Sequence, residues 1–198
     1  MRKKILLAGW LLLLSVGVIS IFWYNDWVYS LPTPVPVNYK PVATGQEIAA
    51  VAKINPDNGK PLFIHFFNPD CPCSKFNVSH FKSIVKEYGQ LANFAIVVVS
   101  SKTYSKKDIQ ERFETTIPVY TDTSIADACG VYSTPQAVII DTRQKLYYRG
   151  NYNKSRYCSE KKTEYARAAL DAVLHQTSFL PEPYAVKAYG CRLPKCTK

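Results

Sequence analysis

Hydrophobic and polar positions follow several different rhythms along the chain. From Ile5 to Tyr24 there is no charged residue at all, a run of helical length without a polar face. Further on, "PLFIHFFN" (61–68) and "NFAIVVVSS" (93–101) are short continuous apolar runs, the pattern of strands buried on both faces. Between and after them the period lengthens. "GQEIAAVAKI" (45–54) has helical spacing and stops at the Asn55-Pro56 turn signal. "CSKFNVSHFKSIVKEYG" (73–89) puts Phe76, Phe81, Ile84 and Val85 on one face and predicts a helix ending at Gly89. "SKKDIQERFE" (105–114) opens with Ser105 and Asp108 at capping-box spacing. A short strand (117–122), a short helix ending at Gly130, and a strand pair across 136–150 turning at Asp141 to Gln144 follow. The amphipathic stretch 159–177 predicts the longest helix after the N-terminal run, and the last twenty residues read as irregular. Strand and helix alternate before a strand pair and a final helix. This predicts an α/β fold with a mixed sheet and helices on both faces.

The N-terminal run changes the picture of where this domain resides. Twenty uncharged residues suffice to cross a bilayer. Phe22, Trp23, Tyr24, Trp27 and Tyr29 suit the far interface. Arg2, Lys3 and Lys4 precede the run, and the next basic residue is Lys40, so the positive-inside rule places the N-terminus in the cytoplasm. The expected organisation is a cytosolic basic end (1–4), a transmembrane anchor (5–24), a Pro-rich spacer (25–41) with prolines at 32, 34, 36 and 41, and a domain over 42–198. The competing reading is a signal peptide cleaved after a small-residue site such as Ser15-Val16-Gly17, against which stands the length of the apolar run.

The formal charge is +10; without the three cations at the N-terminus it is +7, from 22 basic and 15 acidic residues. The basic residues are scattered and not interleaved with aromatics, which argues against a nucleic-acid partner. A mildly basic surface near anionic lipid accounts for the excess.

Six cysteines in an exported domain make disulfides an expectation. Cys71 and Cys73 flank Pro72 just after an apolar strand, where a helix begins. Unpaired amide hydrogens at a helix start stabilise a thiolate, so Cys71 is the expected nucleophile. Cys73 is the natural resolving thiol; a bridge between residues two apart closes a small ring and is easily reduced. Two thiolates this close are also soft ligands, so Cu(I) bound by Cys71 and Cys73 is the alternative. Zinc has the weaker claim, since four convergent ligands are not evident. His80 and His175 read as ordinary helical residues. Cys129, Cys158, Cys191 and Cys196 default to structural roles, with pairings of Cys158 or Cys196 to Cys191 both open, and with a relay from Cys71 to one of the four also open.

Three segments resemble the thioredoxin-like redoxins. "FFNPDCPCS" is similar to the strand, bend and helix start of their active site, "GVYSTPQAVIID" to the segment with their cis-proline, and "YYRGNYN" with the late "YGCRLPK" to the ends of membrane-associated redoxins. The resemblance covers roughly Gly45 to Lys195. It implies a thioredoxin-like mixed sheet, a cis peptide bond between Thr134 and Pro135, and a loop there that presents main-chain groups to an extended substrate segment. It also sets His65 at the place of the buried acid six residues before the first cysteine, where a proton shuttle is one role and a hydrogen-bonded core histidine the other. The sequence departs from thioredoxins in having Ser74 at the place of the second cysteine, and from peroxiredoxins in reading Asn68-Pro69-Asp70 before Cys71.

The resulting expectation is a single-pass protein of a bacterial-type inner membrane with its thioredoxin-like domain on the periplasmic side. There it would exchange disulfides with exported proteins through Cys71, Cys73, Thr134, Pro135 and His65, drawing on an unidentified redox donor or acceptor and needing no cofactor. A Cu(I)-delivery protein, a thiol peroxidase with Cys71 as the peroxidatic cysteine, and a non-catalytic binding module are the alternatives.

Overall fold

The computed structural model describes residues 2–56 and 58–194. The chain divides into two compact units, the first ending at Leu31 and the second beginning at Pro32. The first unit is helix α1 (Arg2–Ser30), none of whose side chains is buried. Its apolar stretch has a mean hydropathy of 2.6, long and apolar enough to cross a membrane as an anchor or to act as a signal sequence. The helix extends six residues beyond the uncharged run, because Asn25 to Ser30 add no helix breaker.

The second unit is built on a five-stranded sheet in the order β3-β2-β1-β5-β6. Strand β1 (Leu62–Phe67) lies at the centre and pairs in parallel with β2 (Asn93–Val98), which in turn pairs in parallel with β3 (Val119–Tyr120). On its other side β1 pairs antiparallel with β5 (Gln136–Ile140), and β5 with β6 (Leu146–Gly150). The two continuous apolar runs are thus neighbouring central strands, and both faces of β1 are covered. Phe63 and Phe67 pack with Phe81 and Ile84 of α2 (Pro72–Tyr88), Phe113 of α3 (Lys106–Phe113) and Leu170 of α5 (Tyr165–Leu174). Leu62, Ile64 and Phe66 pack on the opposite face with Val51 and with Ile125 of α4 (Ser124–Ala128). A buried aliphatic or aromatic side chain contributes about 1.5–3 kcal/mol by leaving water, so this double burial holds β1 as the axis of the fold.

Local chemistry sets the element ends. Ser105 accepts the Asp108 amide at 3.0 Å and starts α3 as its spacing predicts. Pro72 occupies the first turn of α2, where its missing N–H costs nothing.

Several expectations are corrected. Residues 45–54 form only a 3-10 turn at Ala49–Lys53, because Gly45, Gln46 and Ile48 use their backbone groups on Gln144 and Leu146 beside β6. The stretch 159–177 becomes helical only at Tyr165, after a 3-10 turn at Lys161–Thr163, because Asn153 donates to the Glu160 carbonyl and holds the preceding residues in a loop. The Pro-rich residues from 32 onward belong to the compact unit: Thr33 bonds to Ser133, Ala188 and Gly190, and Tyr39 donates to the Gly130 carbonyl. The tail is not wholly irregular. It contains helix α6 (Pro183–Val186) and strand β7 (Cys191–Arg192), which pairs antiparallel with a two-residue strand, β4 (Ser133–Thr134).

Candidate functional site

Cys71 is the residue before α2, in an extended conformation that lets the chain turn from strand to helix. Two local bonds make the bend: the Cys71 amide donates to the Asn68 carbonyl at 3.0 Å, and the Asn68 side chain accepts the Asp70 amide at 2.9 Å. Ser74 fills the place of the second thioredoxin cysteine with a structural part, accepting the amide of Asn68 at 3.4 Å. Asp70 faces away toward the loop after β2. Its carboxylate accepts from Tyr104, Lys102 and Ser100, and the Tyr104 hydroxyl above all, with Lys102 beside it, holds it below the usual carboxylate range.

The Thr134–Pro135 peptide bond is cis, and the Thr134 carbonyl lies 3.6 Å from the Cys71 sulfur. The segment expected to face Cys71 does so.

The tail completes the site. Cys191 stands opposite Thr134 in the β4–β7 pair and is bonded to Cys71, with a Cα–Cα distance of 6.3 Å across a sequence separation of 120. This corrects the expected pairing of Cys71 with Cys73, and equally the two pairings considered for Cys191. The physical reason is direction: β7 runs along the β4 edge and presents its cysteine to the start of α2, whereas Cys73 is already committed to the first turn of that helix. Cys73 remains close. The sulfurs of Cys71, Cys73 and Cys191 all lie within 4.8 Å of one another, and all three residues are buried.

Two glycine and asparagine positions carry the tail there. Gly190 has φ +150°, and a Cβ on it would run into the Thr134 carbonyl, so only glycine lets β7 approach this closely. Asn151, just past β6, donates from its side chain to the carbonyls of Tyr184 and Lys187 at 2.7 Å each, while its backbone amide bonds to Ala185. Its own carbonyl accepts from the buried Tyr148 hydroxyl. Neither residue was singled out from the sequence; the "GC" and "YRGN" pairs were the available signals.

The other cysteines are set apart. Burial pushes the thiols of Cys129 and Cys158 up to about 12, so both stay protonated near neutral pH. Cys129 packs beneath the sheet with Ile125 and Val138, and Cys158 accepts from the Asn77 amide at 3.0 Å. Cys196 lies outside the described residues.

His65 occupies a core setting. Its Nδ1 is 2.7 Å from the Tyr152 hydroxyl, its ring stacks on Phe81 at 4.5 Å, and burial lowers its pKa to about 3. It is therefore neutral across the working pH range, and Nε2 has no hydrogen-bond partner among the described residues. His80 sits nearby, 3.8 Å from a Glu164 oxygen, with its pKa lowered to about 4 by burial and by Arg167.

A cleft of about 600 Å³ is lined by Tyr39, Val99, Asp127 and Tyr132, and by Leu193 and Pro194 just after Cys191. It is bounded by the Pro-rich segment on one side and by the residues following Cys191 on the other.

A family model described as "Domain of unknown function (DUF6436)" matches residues 41–195. The chain has no match among curated proteins. Among solved structures, an uncharacterized conserved protein from Geobacillus kaustophilus shares 19% identity over 81% of this chain and 97% of that one, with a TM-score of 0.65. The hypothetical protein SMc02350 from Sinorhizobium meliloti 1021 shares 19% identity over 79% of this chain and 96% of that one, with a TM-score of 0.64. A thioredoxin-family thiol:disulfide interchange protein from Chlorobium tepidum TLS aligns more loosely, at 14% identity over 71% and 99% and a TM-score of 0.48. At such identities the likeness concerns fold. The fold itself is thioredoxin-like: parallel β1–β3, antiparallel β5 and β6, a cysteine opening the helix after β1, and a cis-proline immediately before β5.

Proposed function

The chain belongs to the family described as domain of unknown function (DUF6436), and we propose that it is a membrane-tethered thiol-disulfide oxidoreductase whose redox couple is Cys71 and Cys191. The observation that carries this is the Cys71–Cys191 bond itself, formed at a helix start beside a cis-proline, between two residues 120 apart in sequence. A staple and a redox couple differ in how the bond is held. Here one sulfur belongs to a two-residue strand that can leave its neighbour, and the other to a helix N-terminus that stabilises a thiolate.

The cycle balances with these two residues. In the reducing direction the Cys71 thiolate attacks one sulfur of a partner disulfide, forming a Cys71–partner bond and releasing the partner's other sulfur as a thiolate. The Cys191 thiolate then attacks Cys71, re-forming Cys71–Cys191 and releasing the second partner thiolate. The partner gains two electrons and the protein loses two. In the oxidising direction every step reverses. Because both sulfurs are buried in the bonded form, the exchange needs β7 to lift from β4, which also exposes the β4 edge to an extended partner segment. The cleft beside Leu193 and Pro194 would receive that partner's side chains.

The N-terminal charges support an extracytoplasmic location. With Arg2, Lys3 and Lys4 on the cytoplasmic side, α1 as an uncleaved anchor would set the domain on the extracytoplasmic face, among exported proteins that carry thiols or disulfides.

The test is a redox titration of the full chain in detergent, with thiol trapping and peptide mass spectrometry. The expected result is reversible interconversion of Cys71–Cys191 at one potential, with Cys129 and Cys158 remaining thiols throughout. A Cys71 that never bonds to Cys191, or exchange with a model disulfide that survives Cys71→Ser, overturns the reading.

A further inference from the structure

We propose that the reduced protein binds one Cu(I) ion on the thiolates of Cys71, Cys73 and Cys191. This rests on the preceding reading to the extent that the Cys71–Cys191 bond must open. It uses a third sulfur that the exchange cycle leaves without a task.

The three sulfurs converge on one point as a three-coordinate soft site requires once the Cys71–Cys191 bond opens. The three sulfurs lie within 4.8 Å of one another. Thiolates around a metal at about 2.3 Å in a plane stand about 4 Å apart, which falls inside that separation. Two of the three come from positions 71 and 73, on either side of Pro72 at the start of α2, the third from β7, so the ligands converge from two elements rather than along one loop.

The donor set selects the ion. Thiolates favour soft cations, and the cluster contains no carboxylate or imidazole among the described residues, which disfavours magnesium and calcium. Zinc requires four ligands for a closed site, and three are present among the described residues. Cu(I) is satisfied by two or three sulfurs and by exclusion of water. Cys71, Cys73 and Cys191 are only 0%, 5% and 2% exposed. The negative charge left on three thiolates around a monovalent ion is stabilised by the positive end of the α2 dipole.

The chemistry balances with a dithiol or phosphine as reductant. It delivers two electrons to the Cys71–Cys191 bond and is itself oxidised, and two protons are taken up as both sulfurs become thiols. Cu(I) then displaces the thiol protons of Cys71, Cys73 and Cys191 without changing its own oxidation state. The same sulfurs therefore hold either a disulfide or the ion, never both. By linkage, Cu(I) stabilises the reduced form and makes the bridge harder to close.

The experiment is an anaerobic titration of the reduced full chain in detergent with Cu(I), in competition with a bathocuproine chelator, together with X-ray absorption at the copper edge. Expected are one ion per chain, three sulfur neighbours, and no binding by the bridged form. Cys73→Ser and Cys73→Ala should each leave two sulfur neighbours and weaken the affinity at least about tenfold, with circular dichroism confirming that each variant is folded. A variant carrying Cys129→Ser, Cys158→Ser and Cys196→Ser together should bind as the natural protein does. Absence of binding, affinity unchanged by either Cys73 substitution, or loss of binding in the triple variant overturns the proposal. Reversible titration of Cys71–Cys191 without any Cu(I) binding removes only the metal site and leaves the oxidoreductase reading standing.

Discussion

Thr134 and Cys191 face each other across a two-residue antiparallel pair, and this pairing brings a cysteine from the end of the chain to the sulfur of Cys71. The cis-proline segment is thus occupied in the bonded form by the protein's own tail. Any partner that uses the same backbone edge must displace β7.

Closing a loop of 120 residues restricts the unfolded chain far more than the native one. The chain-entropy model gives about 4–5 kcal/mol for a bridge of that span. Cys191→Ser, or reduction of the natural protein, should therefore lower the melting temperature by on the order of 10 °C. Calorimetry with and without a phosphine reductant measures this. An unchanged melting temperature would mean that the bridge contributes nothing to stability.

Gly190→Ala should prevent the close approach of β7. The added Cβ meets the Thr134 carbonyl, and a φ of +150° suits no L side chain. The expected outcome is a folded domain in which Cys71 and Cys191 are found as thiols under air, counted by alkylation and mass spectrometry. Asn151→Ala, which removes the two side-chain bonds to Tyr184 and Lys187, should act the same way with a smaller effect.

Alkylation after mild reduction should be strongly selective. Cys71 reacts first, because it opens a helix, while burial holds the Cys129 and Cys158 thiols protonated up to about 12. Peptide mapping after brief iodoacetamide treatment at neutral pH should show label on Cys71 and none on Cys129 or Cys158 until the protein is unfolded. Early label on Cys129 would contradict its placement beneath the sheet.

Stability should depend on pH through two buried histidines. The unfolded chain takes up a proton at each below about 6.5, while the folded protein resists until about 3 at His65 and about 4 at His80. The unfolded state therefore binds more protons in that window, and stability falls as pH falls through it. The slope is about 1.4 kcal/mol per pH unit for each histidine once it is fully charged in the unfolded chain. Urea unfolding between pH 7 and pH 4.5 gives the slope, and His80→Gln should flatten it. A pH-independent midpoint in that range would refute the assignment of both rings as neutral.

Much of this architecture is written locally. The apolar runs around Ile64 and Ile96 determined two central strands, because continuous burial on both faces needs no knowledge of the partner. Pro72 and Ser105 determined where two helices begin, through an N–H that is not needed and a side chain that accepts one. The charges of Arg2, Lys3 and Lys4 and the uncharged run after them determined a helix suited to a membrane. The Thr134–Pro135 context identified the loop that faces Cys71.

The partner of Cys71 was decided only by the tertiary structure. Strands of two residues carry no periodicity, so neither β4 nor β7 leaves a signature in the sequence. Their pairing depends on contacts made by residues distant in sequence and on the space beside one glycine: Asn151 clipping the tail to the end of β6, Thr33 bonding to Ser133 and Gly190, and the space that Gly190 leaves beside Thr134. The same holds for residues 45–54, whose helical spacing yielded to backbone pairing with Gln144 and Leu146. A cysteine two residues away is the obvious partner when distance is counted along the chain. In space, the direction of β7 along the edge of β4 brings one from 120 residues away into bonding contact.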